Sequence, residues 1–223
     1  MNEAIGGILP LALGVAISPV PVIAAILMLL SPAAGRTGTS FLLGWLVGIA
    51  GAVTLFTALG GLVPDDGSDS SRPVVAAIQG VLGLALVALA VRQWRSRPTG
   101  DDEPELPAWM NGIASFTAAK AFGLGAVLAA ANPKNLFLAI AAGVAVSQAE
   151  LETSATVLVL VIWVAIAACS VAVPVLIALA APGRVAAPLD RLRAWLAVNN
   201  ATVMCVLMLV IGVNLIGKAI SAL

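Results

Sequence analysis

A proline and a lysine interrupt one of the longest apolar runs of this chain. The residues Asn132, Pro133, Lys134 and Asn135 lie inside the otherwise almost wholly apolar run 122–146. Proline removes a backbone donor and clashes with the preceding turn, so a membrane-spanning helix should break or kink here. A lysine at the same point is costly in lipid and must face a protein interior or a water-filled cavity. The run therefore predicts a broken transmembrane helix with a candidate functional lysine.

The composition agrees with a polytopic membrane protein. Of the 223 residues, 61% are hydrophobic and 10% charged, and the mean hydropathy is +1.09, outside the range of soluble domains. The 11 basic and 11 acidic residues cancel, which leaves no basic field for nucleic acid. The chain has no histidine, and its two cysteines lack CxxC spacing. We therefore expect no metal, no cofactor and no enzymatic activity.

Six apolar stretches are long enough to cross a bilayer, which takes about 20 residues each. The first and the fourth are too long for a simple span, and these two contain prolines next to polar residues. Each could be two half-helices or one strongly kinked helix. The predicted spans are residues 4–30, 40–62, 74–91, 116–146, 155–181 and 197–220.

The two broken spans indicate an internal repeat. Aligning Pro19 with Pro133 places Ser18 opposite Asn132, and the third spans of the two halves also align. Three spans per half is an odd number, so the second copy must enter the membrane from the opposite side. We therefore predict an all-α fold of two inverted three-helix repeats, with a central site where the two breaks meet. The predicted divisions of this single membrane domain are residues 1–92, a cytoplasmic linker 93–112, and residues 113–223.

The loop charges predict an orientation in the plasma membrane. Basic residues concentrate in the odd-numbered loops, whereas the even-numbered loops offer only Arg72. By the positive-inside rule the odd loops are cytoplasmic and both termini lie outside. Lys218, near the C-terminus, argues mildly for the reverse. The basic residues of the odd loops are Arg36, Arg92, Arg95, Arg97, Arg184, Arg191 and Arg193.

Polar residues near the breaks are the candidates for a substrate pathway. No Asp or Glu lies inside the six predicted spans, so a carboxylate proton relay is absent. Lys134 could cycle a proton or attract an anionic headgroup, and we favour the headgroup. For Lys120 we favour snorkelling to the interface. The candidate pathway residues are Ser18, Pro19, Pro21, Lys120, Asn132, Pro133, Lys134, Asn135 and Asn214.

These motifs resemble those of the lysine exporter (LysE) superfamily. Residues 18–21 (Ser-Pro-Val-Pro), residues 35–38 (Gly-Arg-Thr-Gly) and the glycines at 44 and 48 are similar to its first-half pattern, and Asn132-Pro133-Lys134 to its second-half signature. The Ala-rich, Arg-over-Lys composition most resembles the glycopeptidolipid-addressing (GAP) and sulfolipid-addressing (Sap-like) branch. Two departures, Pro-Val-Pro for Pro-Gly-Pro and Asn135 for alanine, argue against an amino-acid substrate.

The resemblance implies a six-span export protein that moves an envelope lipid toward the cell surface. Two alternatives stay open: a LysE-type exporter of amino acids or other small metabolites, and a non-transporting scaffold that recruits a larger lipid-export machine. The partners are then the membrane and a lipid or small-molecule substrate. Gly44 and Gly48 have the small-xxx-small spacing that suits either helix packing within the fold or a homodimer.

Overall fold

A computed structural model describes residues 1–61, 72–97, 108–181 and 185–221, and their regular elements are helices. The acidic residues of loop two, residues 98–107 of the linker 93–112, and Arg184 lie outside these ranges. In chain order the elements are α1 (Asn2–Ala16), α2 (Pro19–Leu29), α3 (Ala34–Gly60), α4 (Arg72–Arg95), a 3₁₀ helix (Ala108–Ser115), α5 (Ala118–Ala130), α6 (Pro133–Ser147), α7 (Thr153–Ala180) and α8 (Ala186–Ser221).

The helices are those of a multi-pass membrane protein and include two sharply bent pairs. Helices α3, α4, α7 and α8 are each long and apolar enough to cross a bilayer. The pair α1 and α2 is bent by 52°, and the pair α5 and α6 by 62°. Counting each bent pair as one span gives up to six spans. The helix breaks predicted in the first and fourth apolar stretches are therefore present, and each bent pair is either one broken span or a re-entrant segment.

Each break is a helix end followed by a helix start with proline in the first position. Pro19 begins α2 after Ser18, and Pro133 begins α6 after Asn132. At this position the missing proline N–H is one that no intrahelical carbonyl would accept, and the fixed φ suits the helix. Asn132 also caps α6, because its side chain accepts a hydrogen bond from the Lys134 backbone N–H at 3.0 Å.

Helices of one half pack mainly on helices of the other half. Helix α3 lies against α5 and α6, α7 lies against α1 and more sparsely against α2, and α4 pairs with α8. The interior holds Trp45, Phe41 and Trp163, all at most 1% exposed. Many large apolar side chains instead face outward, as expected for a surface in contact with lipid. The two halves thus form one integrated bundle.

Gly44 and Gly48 lie at a helix–helix contact inside this bundle. A Cβ at Gly44 would overlap the backbone carbonyl of Phe122, and a Cβ at Gly48 would lie 2.8 Å from the Ala126 carbonyl oxygen. Both glycines therefore allow α3 and α5 to cross in close contact. Because α5 covers them, the predicted homodimer no longer has support from this spacing.

The N-terminal part of α1 and the C-terminal part of α8 lie close together. A Cβ at Gly7 in α1 would lie 3.9 Å from Lys218 Nζ in α8. At the opposite end, Leu30 of the first loop and Val185 before α8 line a common cavity of about 300 Å³. Loops one and five thus share one side of the bundle. Which of the two sides faces the cytoplasm is still a prediction.

Candidate functional site

Lys134 connects the two breaks. It lies in the first turn of α6 and is only 2% exposed. Its Nζ donates hydrogen bonds to the Gly14 carbonyl, to the Ile17 carbonyl at 3.1 Å and to Ser18 Oγ at 2.7 Å. An ammonium group has three donors, so all three are used. The charge also sits at the C-terminal end of α1, where the helix dipole stabilises a cation.

The prolines of the first break explain why Lys134 is needed there. In an uninterrupted helix the Ile17 carbonyl would accept from residue 21, but Pro21 has no N–H. The Gly14 carbonyl would accept from the N–H of Ser18, which instead donates to the Ala16 carbonyl at 2.9 Å. Lys134 therefore replaces donors that the break removes. A lysine at the second break thus satisfies the backbone carbonyls that the first break leaves without an intrahelical donor.

Asn135 similarly satisfies a backbone carbonyl at the second break. Its Nδ2 donates to the Leu128 carbonyl at 3.3 Å, near the end of α5, and its Oδ1 accepts from Ser18 Oγ at 3.5 Å. Leu128 lies five residues before Pro133, as Gly14 lies five residues before Pro19. The carbonyl in the same position of each break is thus satisfied by a side chain of α6.

Ser18 is the point where the two breaks meet. It precedes α2 in the N-cap position, yet its side chain makes no capping hydrogen bond. Its hydroxyl instead accepts from Lys134 and donates to Asn135. We call Ser18, Lys134 and Asn135 the break cluster. Each of the three is at most 3% exposed, and among the described residues the Lys134 ammonium bonds only to neutral groups.

The structure brings most of the predicted pathway residues to the breaks, but not all. Pro19, Pro21, Asn132 and Pro133 shape the helix ends around the break cluster. Two predicted residues, Lys120 and Asn214, lie away from the break cluster. Lys120 is exposed in the first turn of α5, and Asn214 is exposed in α8, where it lines an open cavity of about 570 Å³ with Gln79 and Lys218.

Sequence reasoning missed the acceptors of the break cluster and two buried tryptophans. The Ile17 carbonyl could have been found by counting four residues back from Pro21, whereas the Gly14 and Leu128 carbonyls carry no side-chain signal. Trp45 and Trp163 leave their indole N–H groups without a partner within the described part of the chain. Such buried donors mark places where water or a ligand can bind.

Ser18→Ala should destabilise the protein by about 1–3 kcal/mol, because it removes an acceptor of a buried ammonium and a donor to a buried amide. Thermal unfolding in detergent measures this. Thr39→Ala is the control, since Thr39 is only partly buried and its hydroxyl bonds only to the Gly35 carbonyl of its own helix. Equal melting temperatures for the two variants would contradict the role given to Ser18.

The comparisons with known proteins point to one family. The family model described as Sap, sulfolipid-1-addressing protein, matches residues 8–221. The matched region includes both helix breaks and the whole break cluster. Comparison with curated proteins and with solved structures gave no match.

Proposed function

The chain belongs to the family of Sap, the sulfolipid-1-addressing protein, and from this premise we propose that it exports an envelope lipid with an anionic headgroup. The observation that carries the proposal is the break cluster. It places one buried cation where the two broken spans meet. A buried lysine that contacts only neutral oxygen atoms is suited to attract a sulfate, phosphate or carboxylate group.

The mechanism follows from the bonds of Lys134. A sulfate or phosphate oxygen is a charge-assisted acceptor and is stronger than a neutral carbonyl. A headgroup at the cluster therefore competes with Gly14, Ile17 and Ser18 for the three donors of the ammonium. When the headgroup displaces these acceptors, α1 loses its contact with Lys134 and can move relative to α6. Binding of the substrate thus releases the connection that holds the two breaks together.

An inverted repeat would let this release open the site to one side of the membrane and then to the other. In transporters with such repeats, one half rocks against the other around a site near the middle of the membrane. Two observations support the repeat. The carbonyls that accept from α6 side chains, at Gly14 and Leu128, occupy the same position before each proline, and the packing of α3 on α5 and α6 has its counterpart in α7 on α1 and α2. The two halves would exchange which side of the cluster is open.

A second candidate function is a non-transporting scaffold of a larger lipid-export machine. The observation in its favour is that every donor of the Lys134 ammonium is already satisfied, as in a purely structural joint. Purified protein that moves no lipid in liposomes but co-purifies with such a machine would support this function. Resistance to toxic amino-acid analogues on overexpression would instead support a LysE-type exporter of amino acids.

Deletion of the gene tests the proposed function. We expect an anionic envelope lipid to fall at the cell surface and to accumulate inside, and we expect restored wild-type protein to reverse both changes. Mass spectrometry of surface-extracted and total lipids measures the two pools. An unchanged ratio of surface to total lipid for every anionic class would contradict the proposal.

A further inference from the structure

An apolar groove lies on the outer surface between α1 and α8. Leu13 of α1 and Ile17, which directly follows α1, line one side, and Val206, Val210 and Ile211 of α8 line the other. Its volume is about 530 Å³, within the ~300–1,000 Å³ of typical small-ligand sites. Val206 and Val210 are 55% and 63% exposed, so the groove is open sideways to the bilayer.

The groove lies beside the bend of the first helix pair. Helix α1 packs mainly against α6 and α7 and only sparsely against α8, which leaves the space between α1 and α8 open. At the break the chain turns by 52° into α2, and α2 packs more closely on α8 than α1 does. The groove therefore lies on the α1 side of the break.

Ile17 and Ile211 connect the groove with the break cluster. Ile17 is 42% exposed in the groove, and its carbonyl accepts from Lys134 Nζ at 3.1 Å. Ile211 is 5% exposed and forms the inner wall. It also packs on Gly14, where an added Cβ would lie 2.5 Å from Ile211 Cδ1. The Gly14 carbonyl is itself bound by Lys134.

We infer that this groove holds a hydrocarbon chain of the exported lipid while its headgroup is at Lys134, with Ile211 closing the passage between them. The inference rests on the proposed function. A buried cation attracts the anionic end of an amphipath but offers no room for a long chain. The chain must then lie on an apolar surface next to the cluster, and this groove is continuous with it through Ile17.

A second groove of the same character provides an internal control. It lies between α4 and α8, is lined by residues that include Gly80, Leu84 and Ile220, and has a volume of about 380 Å³. None of the residues that line it belongs to the break cluster or accepts a hydrogen bond from it. Leu84 and Val210 are both 63% exposed. Val210→Trp therefore fills the groove next to the break cluster, and Leu84→Trp fills the groove that does not adjoin it.

The test uses the purified full chain in nanodiscs that contain a sulfatide with a photoactivatable diazirine in its acyl chain. Mass spectrometry maps the labelled peptides. We expect the segment from Val206 to Ile211 to carry several-fold more label than the similarly exposed Val157 and Val161 on α7. Val210→Trp should reduce the excess to background, whereas Leu84→Trp should not. Melting temperatures near that of the wild type show that both variants are folded.

Three results would overturn the inference. They are equal labelling of the groove and α7, equal labelling by galactosylceramide that lacks the sulfate, and cross-links between two copies of the chain at the groove. The proposed function is tested separately by the surface lipids of the deletion strain. Loss of surface lipid in that strain, together with background labelling of the groove, would contradict lipid binding in the groove and still support the proposed export function.

Discussion

Lys134→Met is expected to abolish lipid export while the protein stays folded. A hydrogen bond to a charged group contributes about 1.5–3 kcal/mol, so loss of one headgroup contact corresponds to roughly 10–100-fold in affinity. Methionine is long and unbranched and can fill the same buried space. The measurement is the ratio of surface to total anionic lipid in the deletion strain that carries the variant.

The stability of this variant should change little. The substitution leaves the Gly14 and Ile17 carbonyls and the Ser18 hydroxyl without their donor, which is unfavourable. It also removes a buried charge whose described partners are all neutral, and this offsets the loss. We expect the free energy of unfolding to change by no more than about 2 kcal/mol.

Two further substitutions control this prediction. Lys120→Met makes the same chemical change at an exposed lysine outside the break cluster and should keep wild-type export. Lys134→Arg retains the charge, but its planar guanidinium cannot direct three donors from one atom as an ammonium does, so we expect partial export. Wild-type export by Lys134→Met would contradict the role of the lysine.

Gly44→Leu is expected to prevent correct folding. The new Cβ would occupy the position of the Phe122 backbone carbonyl, and a backbone group cannot rotate away as a side chain can. Helices α3 and α5 would have to separate, at a cost of about 3 kcal/mol or more. The amount of protein in the membrane and its melting temperature in detergent measure the effect.

Gly51→Leu is the matched control for Gly44→Leu. Gly51 lies on the same helix, and a Cβ there would meet nothing within 4 Å. The substitution is the same and the helix propensity changes equally, so only the contact with α5 differs. Equal yields and melting temperatures for the two variants would contradict the close crossing of α3 and α5.

The broken spans could be predicted because proline acts locally. Pro19 and Pro133 each disrupt a helix through their own ring and missing N–H, whatever surrounds them, and the structure begins a helix at each. The sequence analysis also predicted that the two breaks meet, on the expectation that an inverted repeat would bring equivalent positions together. These parts of the site can be predicted from the order of residues along the chain alone.

The bonding of Lys134 could not be predicted in the same way. Its acceptors at Gly14 and Ile17 lie 120 and 117 residues away and are backbone atoms without a side-chain signal. Ser18 looks like a helix cap, but its hydroxyl joins the two breaks. For Gly44 and Gly48 the sequence left open whether the partner is a helix of the same chain or of another copy. Only the packed structure identifies that helix as α5.

Movement of lipid by purified protein tests the central claim most directly. Wild-type protein and Lys134→Met would be reconstituted in phosphatidylcholine liposomes that contain a fluorescent sulfatide, and the transfer of the sulfatide between leaflets would be followed by chemical quenching of the outer leaflet. We predict that wild-type protein accelerates transfer and that Lys134→Met, folded and reconstituted to the same amount, does not. Equal transfer with both proteins, or none above empty liposomes with the wild type, would contradict the account.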